Sequence, residues 1–147
     1  MVQNTSIRSC KVHDRRCIVR MRMASDKKML AEAAIIAIGS KSLDRISDPR
    51  TFLLGAVGLR NDGVFVSARN ISALDCAPHH HAETRLVRKM TPDSTVWVAR
   101  VTRKDGKWAM AKPCAGCEMR LRSAGVTRVV YTIAPNEWGV LDLRGQS

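Results

Sequence analysis

Three features of this 147-residue chain predict an α/β fold. Segments whose apolar residues recur at helical spacing alternate with β-branched runs, the pattern of helices laid on a sheet. Two Asp-Gly pairs, Asp62-Gly63 and Asp105-Gly106, each fall between strand-like runs, where they favour tight hairpins. The last two strand-like runs are joined only by Ala134-Pro135-Asn136-Glu137, a link that can close a hairpin but cannot hold a parallel crossover. The final two strands are therefore expected to be antiparallel.

Each element has its own signal. Ser25-Asp26 can cap a helix running from about Asp26 to Gly39, with Met29, Ala33, Ile36 and Ala37 at helical spacing. Residues 1–24 are expected to form a basic N-terminal arm or an extra strand, since Arg15, Arg16, Arg20 and Arg22 interleave with Val19, Met21 and Met23. Residues 25–147 then make one domain. Thr51 to Leu59 and Val64 to Ala68 read as a hairpin closed by Asp62-Gly63, and a second helix is expected from His81 through Met90. Thr95 to Thr102 is a β-branched strand, and Lys107 to Ala111 returns from it after the second Asp-Gly turn. A third helix carries Cys114 and Cys117, with Pro113 suited to its first turn and Gly125 to its end. Val126 to Ile133 and Trp138 to Leu143 complete the strands.

Composition bounds the function classes. With 45% hydrophobic residues the chain can build one core, and its longest apolar stretch, around Ala31 to Gly39, is too short to span a bilayer. No membrane partner is expected, and no apolar leader stands at residues 1–8. Five cysteines form an odd set without the look of a secreted disulfide framework, so a reducing cytoplasmic location is expected. The net charge of +12 gathers in residues 1–50 and 84–122, which suits phosphorylated substrates or polyanions as well as a merely solvated surface.

The chemistry is concentrated in His81-Ala82-Glu83 and Pro113-Cys114-Ala115-Gly116-Cys117. One imidazole and two thiols three apart on a helical face can hold one zinc ion, and three protein ligands leave a fourth position open, as catalytic zinc requires. Glu83 stays off the metal and is left to carry a proton. A lone C-x-x-C would also fit half of a structural zinc site or a redox pair. Cys10, His13 and Cys17 offer only a weak second metal pattern. His79 and His80 either line the pocket or stand as solvated loop residues, and Trp108, among Arg103, Lys104 and Lys107, either stacks on a base or packs.

H-x-E followed by P-C-x-x-C is the signature of zinc-dependent nucleobase deaminases, and with the order of elements it makes residues 25–143 resemble the cytidine deaminase-like superfamily. The resemblance implies a three-layer fold with a five-stranded mixed sheet flanked by helices. It implies Zn2+ held by His81, Cys114 and Cys117, with Glu83 as proton shuttle and Asn70 in contact with substrate. Asn70 also reads as a turn residue after a strand. A backbone N–H near Ala82 or Cys114 can steady developing charge, and His80 and Trp108 are the further candidate substrate contacts. His81 as first ligand resembles the deoxycytidylate, guanine, tRNA adenosine and DNA/RNA cytosine branches, whereas the short link between the last two strands resembles the free-nucleoside enzymes.

The function expected on this basis is hydrolytic conversion of cytosine to uracil in a nucleoside or nucleotide. The alternative is deamination of cytosine or adenine within single-stranded DNA or RNA, favoured by the charge and opposed by the 4% aromatic content. A catalytically silent zinc-binding or nucleic-acid-binding module is a third reading, in which Glu83 would have no chemical purpose. The expected partner is a cytosine nucleoside or nucleotide, with single-stranded nucleic acid and a homo-oligomer as further options.

Overall fold

The computed structural model describes residues 15–39, 52–70 and 82–144, and side chains of the first helix from Asp26 onward. The elements are α1 (Arg15–Gly39), β1 (Phe52–Leu59), β2 (Phe65–Arg69), α2 (Ala82–Val87), β3 (Ser94–Thr102), β4 (Trp108–Ala109), α3 (Ala115–Ser123), β5 (Val126–Ala134) and β6 (Glu137–Asp142). They form a six-stranded sheet in the order β2-β1-β3-β5-β6, with β4 on β3. The five expected strands are the path of the sheet, and the short β4 is the sixth.

Register follows the links. The Asp62-Gly63 turn makes β1 and β2 antiparallel, with Gly63 at φ 86° and Asp62 accepting hydrogen bonds from Arg60 Nη2 at 2.7 Å and the Val64 N–H at 3.1 Å. β3 runs antiparallel to β1 but parallel to β5, because α3 intervenes between them and supplies the crossover. β5 and β6 are antiparallel, as their short link requires, with Asn136 in the left-handed region at φ 61°.

Period-two alternation divides the core into two faces. On one face Ala56, Val96, Val98 and Val129 pack with Ala82 and Leu86 of α2 and Leu121 of α3. On the other, Leu53, Val57, Ala99 and Val101 pack with Ala33, Ala34 and Ala37 of α1, beside Leu30, Trp97 and Val130. Helix, sheet and helix pair are thus the three layers. Leu30, Leu53, Leu86 and Leu121 are fully buried, and each contributes about 1.5–3 kcal/mol by leaving water. Among the described residues no helix is long and apolar enough to cross a membrane.

α1 begins earlier than its cap signal predicts. Residues 15–24, expected as an arm or extra strand, continue the helix, and residues 1–14 lie outside those described. The segment holds Arg, Met, Ile and Val and lacks Pro and Gly up to Gly39, so nothing breaks it. Asp26 does not act as a cap. Its buried carboxylate accepts hydrogen bonds from Trp97 Nε1 at 2.9 Å and from Arg128 Nη1 and Nη2 at 3.0 and 2.6 Å, joining α1 to β3 and β5. α1 also lies close on β1, where a Cβ at Gly55 would meet the Ala33 carbonyl and stand 2.7 Å from the Ala37 nitrogen.

α2 ends at Val87, short of the expected Met90. The Lys89 and Met90 N–H groups bond back to Leu86 and Val87 carbonyls at 2.8 and 3.1 Å, tightening the last turn ahead of Pro92. α3 stops as expected, with Gly125 at φ 87° and its N–H on the Arg122 carbonyl at 3.0 Å. Pro113 differs from expectation: Cys114 is the N-cap and α3 starts at Ala115, so Pro113 precedes the helix.

β4 splits the parallel pair at its carboxyl end. β5 pairs with β3 over Ser94–Val98, then Arg100 and Val101 take Ala109 and Trp108 instead. Buried Thr132 pins this fork: its hydroxyl donates to the Ala109 carbonyl at 2.7 Å and accepts from the Arg100 N–H at 3.1 Å. Its carbonyl takes the Ala111 N–H at 2.9 Å, which delivers the chain to Pro113 and Cys114.

Candidate active site

The two motif helices meet on the sheet face opposite α1. Glu83, in the first turn of α2, is 3% exposed, and among the described residues its Oε2 has no hydrogen-bond partner. Burial raises its carboxyl to about 7, against the opposing pull of its own main-chain N–H and of Arg100. Arg100 follows Val96 and Val98 on the same face of β3, with its guanidinium 4.3 Å from the centre of the Phe52 ring.

Cys114 is exposed at the N-cap of α3, and Cys117 is buried one turn inward. Burial first, then the neighbouring Glu83, pushes the Cys117 thiol up to about 12, against a downward pull from the Thr84 hydroxyl. Thr84 Oγ1 lies 3.5 Å from Cys117 Sγ. A buried thiol beside a buried carboxyl, both held towards their neutral forms, is a donor set that a cation would satisfy, since thiolate is the metal-binding state. The residues therefore fit a zinc ion with one sulfur on each side of the first turn of α3. No group of three metal-ligating side chains is complete among the described residues. His81, the expected third ligand, and His80 lie outside them, as do Cys10 and His13.

The other sequence-predicted contacts separate. Ala82 is fully buried where α2 begins. Asn70 closes β2: its N–H donates to the Leu54 carbonyl at 3.0 Å, and its Oδ1 accepts the Leu54 N–H at 2.9 Å. Leu54 in turn pairs with Arg100, so Asn70, Leu54, Arg100 and the Thr132 fork form one row across the end of the sheet. Trp108 is not brought to this row. Its ring packs with Ala33, Leu53 and Leu30 on the α1 face, because pairing with Val101 aims it there. It serves the core and does not join Glu83.

Sequence reasoning missed Asp26, Thr84, Arg100 and Thr132. For Asp26 a signal existed: it stands on the stripe with Leu30, Ala33 and Ala37, and a carboxylate on an apolar stripe needs a buried partner. For Thr132 and Arg100, alternation in the strand indicates a face but not a bonding partner.

A mixed sheet between helices, with two thiols at the start of α3 and a buried carboxyl at the start of α2 beneath one face, has the layers and the donor groups that the resemblance to the nucleobase deaminases implies. The chain matches the cytidine and deoxycytidylate deaminase zinc-binding region over residues 23–133, and it belongs to that family. Among solved structures, cytidine deaminase from Mycobacterium leprae is 19% identical, with 79% of this chain and 97% of that chain covered at a TM-score of 0.50. Cytidine deaminase from Burkholderia pseudomallei is 18% identical, with 74% and 91% covered at a TM-score of 0.49. No curated protein matches the chain.

Proposed function

We propose that the protein is a hydrolytic deaminase that converts the cytosine of a nucleoside or nucleotide to uracil, with Glu83 carrying the proton. The observation that carries this reading is the buried Glu83 carboxyl, one oxygen of which has no hydrogen-bond partner among the described residues, beside Cys117 where α2 and α3 meet. His81, Cys114 and Cys117 would hold zinc, which when bound activates a water nucleophile at neutral pH. Glu83 would take one proton from the attacking water and give it to the ring nitrogen as the C–O bond forms. It would then take the second proton from the hydroxyl newly bonded to the ring carbon and give it to the amino group, which leaves as ammonia when the C–N bond breaks.

His80, Ala82 and Asn70 are the proposed substrate contacts, with Asn70 held in place by Leu54. Arg100 adds positive charge on the same face as Glu83, which supports a substrate carrying phosphate. The reading is tested by metal content and by turnover of cytidine, dCMP, guanine, adenosine and single-stranded oligonucleotides. About one zinc per chain is expected, lost in Cys114→Ala and Cys117→Ala. Glu83→Ala should keep zinc and fold while losing nearly all turnover. Full zinc occupancy in both cysteine variants, or an active Glu83→Ala protein, refutes the assignment.

A further inference from the structure

We infer that Thr84 is a positioning residue for the metal site: its hydroxyl donates a hydrogen bond to the Cys117 sulfur and so ties the carboxylate-bearing helix to the thiol-bearing helix. The inference rests on the proposed zinc site. Thr84 Oγ1 lies 3.5 Å from Cys117 Sγ, across the gap between α2 and α3. Either atom can donate while the sulfur is a thiol, but a metal-binding thiolate has no proton. The hydroxyl is then the donor.

Two observations give this contact weight. Cys117 is fully buried, so water cannot replace the hydroxyl. Glu83, one residue before Thr84, is also buried. Glu83 and Thr84 are adjacent on α2, so a single short helix places both the proton carrier and the sulfur's hydrogen-bond donor. A hydrogen bond to a thiolate orients its lone pairs and lowers the cost of holding that charge away from water.

The test compares Thr84→Val, which keeps the side chain's shape, with Thr84→Ser, which keeps the hydroxyl. Zinc affinity is measured by chelator competition at fixed pH on folded full-length protein, with Cys117→Ser as reference. Partners of metal ligands typically contribute 10–100-fold in affinity. Thr84→Val should therefore bind zinc about 10–100-fold more weakly, and Thr84→Ser should recover most of the loss. In the cobalt-loaded protein, the thiolate-to-metal charge-transfer band should move to lower energy in Thr84→Val, because the sulfur lone pairs lose their donor. Unchanged affinity in Thr84→Val, or an equal loss in Thr84→Ser, overturns the inference. Wild-type affinity in Cys117→Ser would instead overturn the zinc-site reading beneath it.

Discussion

Removing the Asp26 carboxylate should cost the protein more than any exposed substitution, because three hydrogen bonds from two other elements converge on it. Asp26→Ala leaves Trp97 Nε1, in a residue only 5% exposed, without an acceptor, a loss of about 1–3 kcal/mol. It also strips the partner from Arg128. Breaking a fully buried pair costs about 3–5 kcal/mol, but the Arg128 side chain is 24% exposed and regains some water, so its share lies below that range. The two effects overlap, and a total of about 3–4 kcal/mol is expected. For a chain of this length that is a fall of roughly 10 °C in Tm. Urea unfolding followed by circular dichroism should show a lower midpoint with an unchanged slope. Asp26→Asn, which keeps an oxygen for Trp97 but drops the charge, should lose about half as much. Combined with Arg128→Met, Asp26→Ala should lose clearly less than the sum of the single changes, since no charge is then stranded. A loss below about 1 kcal/mol in Asp26→Ala would refute the reasoning.

Gly55→Ala should destabilise by about 1–3 kcal/mol, read from the same urea midpoint, because its Cβ meets main-chain atoms of Ala33 and Ala37 that cannot move aside singly. Wild-type stability would mean that α1 does not lie this close to β1. In the metal-free protein, Glu83 binds its proton more tightly folded, at about 7, than unfolded, at 4.5. The folded state then holds more protons between those values, so stability falls as pH rises from 4.5 to about 7, by about 3 kcal/mol, and is flat above. Glu83→Gln should remove this slope; a slope that persists assigns it to another group. Salt separates the substrate readings: if the substrate is small, single-stranded DNA and RNA bind weakly near physiological salt and are not deaminated. Efficient turnover inside an oligonucleotide but not of cytidine or dCMP, with affinity falling steeply as salt rises, would favour the polynucleotide reading instead.

Local rules reached far in this protein because much of its architecture is written in short-range signals. Alternation in Val96 to Val101 determined a strand with one face for each helical layer, and Asp62-Gly63 and Gly125 determined where the chain turns. The four residues from Ala134 to Glu137 determined an antiparallel end. H-A-E and P-C-A-G-C pointed to the family, since fixed spacing of donors along a helix is a sequence property.

Tertiary structure decided what depends on groups distant along the chain. Asp26 looked like a helix cap because capping is judged from neighbours, yet its partners are Trp97 and Arg128. Trp108 looked available to a base because basic residues surround it in sequence, yet one register pair with Val101 turns it to the α1 face. The same holds at the site, where α2 and α3 bring Thr84 within 3.5 Å of Cys117 and leave Glu83 buried beside it. Spacing can say that two side chains share a face; which face meets which, and what is left there without water, is settled only when the layers close.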